Sequence, residues 1–146
     1  MENIKKLLVF GGSLSMLAAV LHIAVIIGGP DWYRFFGAGE ELAVMAERGS
    51  WYPALLTSGI VVVLFIWALY AFSGAGLLKR KLPLLRAGLV VIAAIYLIRG
   101  LTLFPAYVVK PESVDDFLIW SSLICLVYGF AYALGTRQVW EKIAKK

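Results

Sequence analysis

Two ionisable side chains stand well inside long apolar stretches of this chain: Arg99, between Leu84 and Ala106, and His22, between Leu7 and Gly29. A guanidinium at the middle of a membrane helix costs about 2.5–3.5 kcal/mol to insert, so something must compensate it. Its planar fork suits a carboxylate or phosphate, which makes Arg99 a candidate anion-binding or substrate-orienting group. The structural alternative has Arg99 snorkelling outward to pair with a loop carboxylate and fasten that loop. His22, with an ordinary pKa near 6.5, suits proton transfer or ligand contact, or else a hydrogen-bonded interior position.

Hydroxyl groups gather around both. Tyr96, Arg99 and Thr102 recur at i, i+3 and i+6 and share one helix face. Ser121, Cys125, Tyr128 and Tyr132 form a second stripe, and Gly11, Ser15 and His22 a third. Cys125 reads as a small core residue, since buried thiols are inert. These faces are expected to turn inward, because lipid offers polar groups no partner. The resulting expectation is a small outward-facing polar cavity centred on Arg99 and His22. Its ligand contacts would be His22, Tyr96, Arg99, Thr102, Ser121 and Tyr128, and its occupant a small amphipathic or lipid-like molecule. An enzyme would use the same place, with His22, Glu40 or Glu41 as acid/base and Arg99 polarising an oxygen. A third reading is an accessory subunit of a larger membrane complex, in which Arg99 is structural.

Composition excludes other classes. Of the 146 residues, 62% are hydrophobic and 16% charged, against about 45–50% and about 25% in soluble domains. Disorder fails on the same ground. A single cysteine, Cys125, cannot form an intramolecular disulfide or a dithiol redox pair. A single histidine cannot supply a bis-His haem or a Cys/His zinc site. No metal or cofactor is therefore expected. Phosphate-cradling and nucleophile-elbow motifs are missing from the sequence. The net charge of +5 clusters beside apolar segments, a pattern of membrane orientation and not of nucleic-acid binding.

The elements that must position these residues are membrane helices of roughly 20 residues each. Four stretches qualify, at about 7–29, 53–76, 84–106 and 117–135. The first is expected to be an uncut span, its apolar run being too long for a signal core. Barrel-type alternation is absent. The 77–86 connection is short, so spans two and three are antiparallel neighbours in an up-down four-transmembrane-helix bundle, a single all-α domain over 1–146. Gly11, Ser15, Gly129 and Ala133 would let helices approach closely. Size and span number resemble the small multidrug-resistance exporters, which rely on a membrane-embedded carboxylate. No Asp or Glu falls in any of these spans, so proton-coupled cation export is disfavoured.

Charge sets the orientation. Lys5, Lys6, Lys79, Arg80, Lys81, Arg86, Arg137, Lys142, Lys145 and Lys146 fall on one side, opposed only by Glu2 and Glu141. The other side holds Arg34, Arg48 and Lys110 among seven acids. Basic loops stay cytoplasmic, so both termini are expected inside a cell (inner) membrane. Trp32, Tyr33, Trp51, Tyr52, Tyr107 and Trp120 would mark the outer boundary, Tyr70 and Trp140 the inner one. His22 and Arg99 then both lie about seven residues, or roughly 10 Å, below the outer surface. Thr57, Ser58, Ser121 and Ser122 fall near the same depth. Between spans one and two, residues 40–48 are expected to form an amphipathic outer helix, apolar on Leu42, Met45 and Ala46. It would seal the bundle or act as a lid, Glu40 or Glu41 reaching Arg99 or His22. Asp31 is expected to cap a short helix before it. The basic tail, 137–146, would rest on anionic lipid. Expected partners are membrane lipids, the amphipathic ligand, and a homo-oligomer or larger membrane complex.

Overall fold

A computed structural model describes residues 5–144, and these are helical with no strand. Glu2, Lys145 and Lys146 of the charge comparison lie outside the described residues. The helices are α1 (Lys6–Gly28), α2 (Pro30–Phe35), α3 (Glu40–Glu47), α4 (Tyr52–Gly74), α5 (Leu85–Leu101), α6 (Leu103–Val109) and α7 (Asp116–Ala144). Helices α1, α4 and α7, and the stretch Leu85–Val109 formed by α5 and α6, are each long and apolar enough to cross a membrane. Only 22–28% of each span is buried inside the protein. Large apolar side chains such as Ile27, Val62 and Phe104 point outward, a surface that suits hydrocarbon and would be a liability in water.

Two boundaries differ from the sequence expectation. The third span continues past Ala106 to Val109 but breaks at Thr102. Pro105 explains the break: it has no N–H to offer the Leu101 carbonyl one turn back, and its ring crowds that carbonyl. The fourth helix passes through Gly135, where the span was expected to end, and carries residues 137–144 of the tail as its last turns. Gly135 serves close packing here: a Cβ on it would stand 2.9 Å from Leu8 Cγ and 3.0 Å from Leu8 N. At the far end of α7, Arg86 Nη2 donates to the Trp140 carbonyl at 2.8 Å and Lys81 Nζ to the Lys142 carbonyl at 3.2 Å. Cations at the carbonyl end of a helix offset its dipole, which lets α7 run this far.

The chain divides into two compact units. One gathers the residues up to Ser15 with everything from Trp67 onward; the other is Met16–Ile66. In the first, Leu8 is fully buried at the positions left open by Gly74 and Gly135. The α4–α5 loop is pinned by Tyr70, whose hydroxyl donates to the Pro83 carbonyl at 3.0 Å, and by Ser73 Oγ, which accepts from Leu82 N–H at 3.0 Å.

In the second unit a turn at Gly29, with φ of +72°, leads into Pro30 at the start of α2. Asp31 does not cap α2. It lies in the first turn, 3.7 Å from Arg34. Val25, Tyr33 and Ala43 form a small core, with Phe36 and Ala46 packed on it. The inward face of α3 is thus Ala43 and Ala46, while Met45 is exposed. The small alanines let α3 come close to Val25 and Tyr33, which Leu42 and Met45 would not.

Candidate functional site

Helix α5 delivers Arg99 to its last turn, just before the Thr102 break. Thr102 Oγ1 donates to the Arg99 carbonyl at 2.6 Å. The same oxygen accepts from Arg99 Nη1 at 3.2 Å. Two further hydroxyls come from α7: Nη1 donates to Ser122 Oγ at 3.2 Å and Nη2 to Ser121 Oγ at 3.1 Å. Gly100 makes this meeting possible. A Cβ there would lie 2.6 Å from Leu126 Cγ and 2.9 Å from the Ser122 carbonyl oxygen, so only a bare Cα brings the two serines within reach. The guanidinium is half-buried and its three side-chain partners are neutral. Among the described residues, the ion pairs formed all belong to Arg34, and no carboxylate meets Arg99.

One turn deeper along α5 lies a second polar layer of different character. Tyr132 donates to the Trp67 carbonyl at 3.0 Å. Having spent its one proton there, it accepts from Ser15 at 2.8 Å. Ser15 in turn accepts from Tyr96 at 3.0 Å. The hydroxyls therefore run in one direction, Tyr96 to Ser15 to Tyr132 to a backbone carbonyl. Tyr128 donates separately to the Leu14 carbonyl at 3.0 Å. The rings close the space between: Tyr96 lies 4.9 Å from Trp67, 5.1 Å from Tyr128 and 5.6 Å from Tyr132, centroid to centroid. Tyr96 and Tyr128, expected as ligand contacts, belong to a packed layer whose hydroxyls are consumed by one another and by carbonyls.

Of the expected ligand contacts, Arg99, Thr102 and Ser121 come together, and Tyr96 and Tyr128 stack beneath them. His22 belongs to the other unit. Its Nδ1 lies 2.7 Å from the Ala18 carbonyl oxygen, and because a carbonyl only accepts, Nδ1 is the donor of that bond. Glu40 is already engaged. Arg34 Nε and Nη2 donate to its two oxygens at 2.9 and 2.8 Å, and Arg34 Nη1 donates to Glu47 at 2.7 Å. Those hydrogen bonds hold both carboxyls below the usual carboxylate range and push the Arg34 guanidinium higher still. Glu41 is exposed and has no partner among the described residues. Cys125 is half-buried and free.

Three residues that build the site were not singled out for it from the sequence. Ser122, fully buried, was noted only for its depth, although its adjacency to Ser121 spans two helix faces. Gly100 follows Arg99 directly, and Pro105 stands one turn beyond the Thr102 break that it causes. Each was a readable signal. No protein family, curated protein or solved structure matches this chain.

Proposed function

We propose that this small four-span membrane protein receives the anionic head of an amphipathic or lipid-like molecule at Arg99, with Thr102, Ser121 and Ser122 holding the guanidinium in place. One observation carries the reading: a guanidinium inside a membrane-spanning segment is bonded only to neutral hydroxyls. Such a group retains its full positive charge in surroundings where charge is costly, and an incoming carboxylate or phosphate offsets that cost. A charge-assisted, bidentate contact with the guanidinium fork gives both strength and orientation. The charge bias along the chain supports an orientation with both termini on the cytoplasmic side, which puts Arg99 within reach of molecules in the outer leaflet. The self-satisfied tyrosine layer supports a shallow site with the ligand's tail lying along the helices.

The test uses a matched pair of probes on delipidated protein in detergent. Oleate, which carries a carboxylate, is expected to raise the thermal midpoint in a concentration-dependent way, and oleyl alcohol is expected to do so far less. Arg99→Gln should abolish the difference, and Arg99→Lys should restore only part of it. Equal responses to both probes, or an unchanged oleate response in Arg99→Gln, would overturn the reading. His22→Ala, made separately, should leave the oleate response intact.

A further inference from the structure

A different part of the first unit carries a second site. Between α5 and α7, toward the C-terminal end of α7, runs an open groove of about 630 Å³. Its length is apolar and its walls are low, formed by Ala93, Ala94, Leu97 and Ala133. At one end stand Arg137, Trp140 and Glu141. Between the apolar length and the charged end lies Thr136, which is 4% exposed and whose Oγ1 has no hydrogen-bond partner among the described residues. A helical threonine usually turns its hydroxyl to the carbonyl one turn back, as Thr57 does to Pro53 at 2.8 Å. Thr136 leaves its hydroxyl orphaned, and an orphaned hydroxyl beside hydrocarbon is costly. Arg137 likewise forms no ion pair with any described residue.

We infer that this groove holds one anionic phospholipid. Read along α7, the order of chemistry is that of such a lipid. Arg137 can extend outward to the phosphate. Thr136, beside it, offers a proton to a glycerol-ester carbonyl. Ala133, Leu97, Ala94 and Ala93 accept an acyl chain. Trp140 is a side chain of the headgroup level, and Arg86, whose Cζ lies 4.3 Å from the Trp140 ring, adds a second cation at that end. Two cations against the single carboxylate of Glu141 leave a net positive rim, which selects a net negative headgroup over a zwitterionic one. This site is independent of Arg99.

Native mass spectrometry on the full chain, delipidated in detergent and titrated with phosphatidylglycerol or phosphatidylcholine of the same acyl composition, tests the assignment. Wild type should retain phosphatidylglycerol at least about fivefold more than phosphatidylcholine. In an Arg99→Gln background, which takes away the other anion site, Arg137→Gln, a change at an exposed position, should remove that preference. Thr136→Val should lower retention of both lipids about two- to threefold. Lys110→Gln, a basic residue away from the groove, should keep the preference. Indifference of wild type to the headgroup would overturn the proposal. So would a preference lost in Arg99→Gln but kept in Arg137→Gln, or a dimer that persists with lipid present and dissociates on Ala133→Trp, which would make the occupant a second copy of the chain.

Discussion

Arg34 and Arg99 present the same guanidinium to opposite surroundings, and the chain treats them in opposite ways. Arg34, outside the candidate spans, is ringed by carboxylates: Asp31 at 3.7 Å, Glu40 at 2.8 Å and Glu47 at 2.7 Å. Arg99, inside the third span, has three hydroxyls and no carboxylate. Ion pairs at exposed positions contribute little, because water and salt screen them. Within hydrocarbon the same pairing would matter most, and there it is missing. In the tyrosine layer beneath Arg99 the hydroxyls are paired with one another and with backbone carbonyls. The open charge at Arg99 thus stands out against its own neighbourhood, and that contrast supports a ligand site more than a structural one.

The contrast can be broken most strongly at Gly100. Gly100→Leu forces α5 and α7 apart and separates Arg99 from both serines. Overpacking of this kind costs about 1–3 kcal/mol, and here the obstacle includes backbone, so thermal unfolding in detergent should fall at the upper end of that range. Arg99→Met sharpens the contrast with the opposite sign. Removing an uncompensated charge should stabilise the ligand-free protein by about 0.5–2 kcal/mol, the usual mark of a site that gives up stability for function. A loss of stability in Arg99→Met would mean that the hydroxyl bonds outweigh the buried charge, and that Arg99 is structural.

The smallest effect belongs to acid. Glu40 and Glu47 titrate below the usual carboxylate value in the folded protein. Their contribution is therefore present above the unfolded value of about 4.3 and is lost as pH falls through the lower folded value. Hydrogen exchange at the start of α3 should quicken only in that acidic window. The Arg99 cluster holds no carboxylate and should keep its exchange protection throughout. Equal loosening of both regions would dissolve the distinction between the two arginines.

Sequence alone settled whatever depends on one segment against its solvent. Four apolar runs of span length, a helix at about 40–48 and the Tyr96–Arg99–Thr102 face follow from hydrophobic content and the 3.6-residue period, because a backbone in lipid has to bond within its own segment. It also set the inventory: one cysteine and one histidine cannot make an intramolecular disulfide, a bis-His haem or a Cys/His zinc site within one chain. Tertiary structure decided which polar group found which partner. Glu40 went to Arg34 because the turn at Gly29 and the short α2–α3 connection place them side by side. Gly135 became a packing site for Leu8 where it had looked like a helix end. The stripe holding Ser121, Tyr128 and Tyr132 divided into two layers, one charged and one neutral. These outcomes turn on approaches of a few tenths of an ångström between distant segments, at Gly100 and Gly135 above all, and helical periodicity holds no information about which two bare Cα positions will meet.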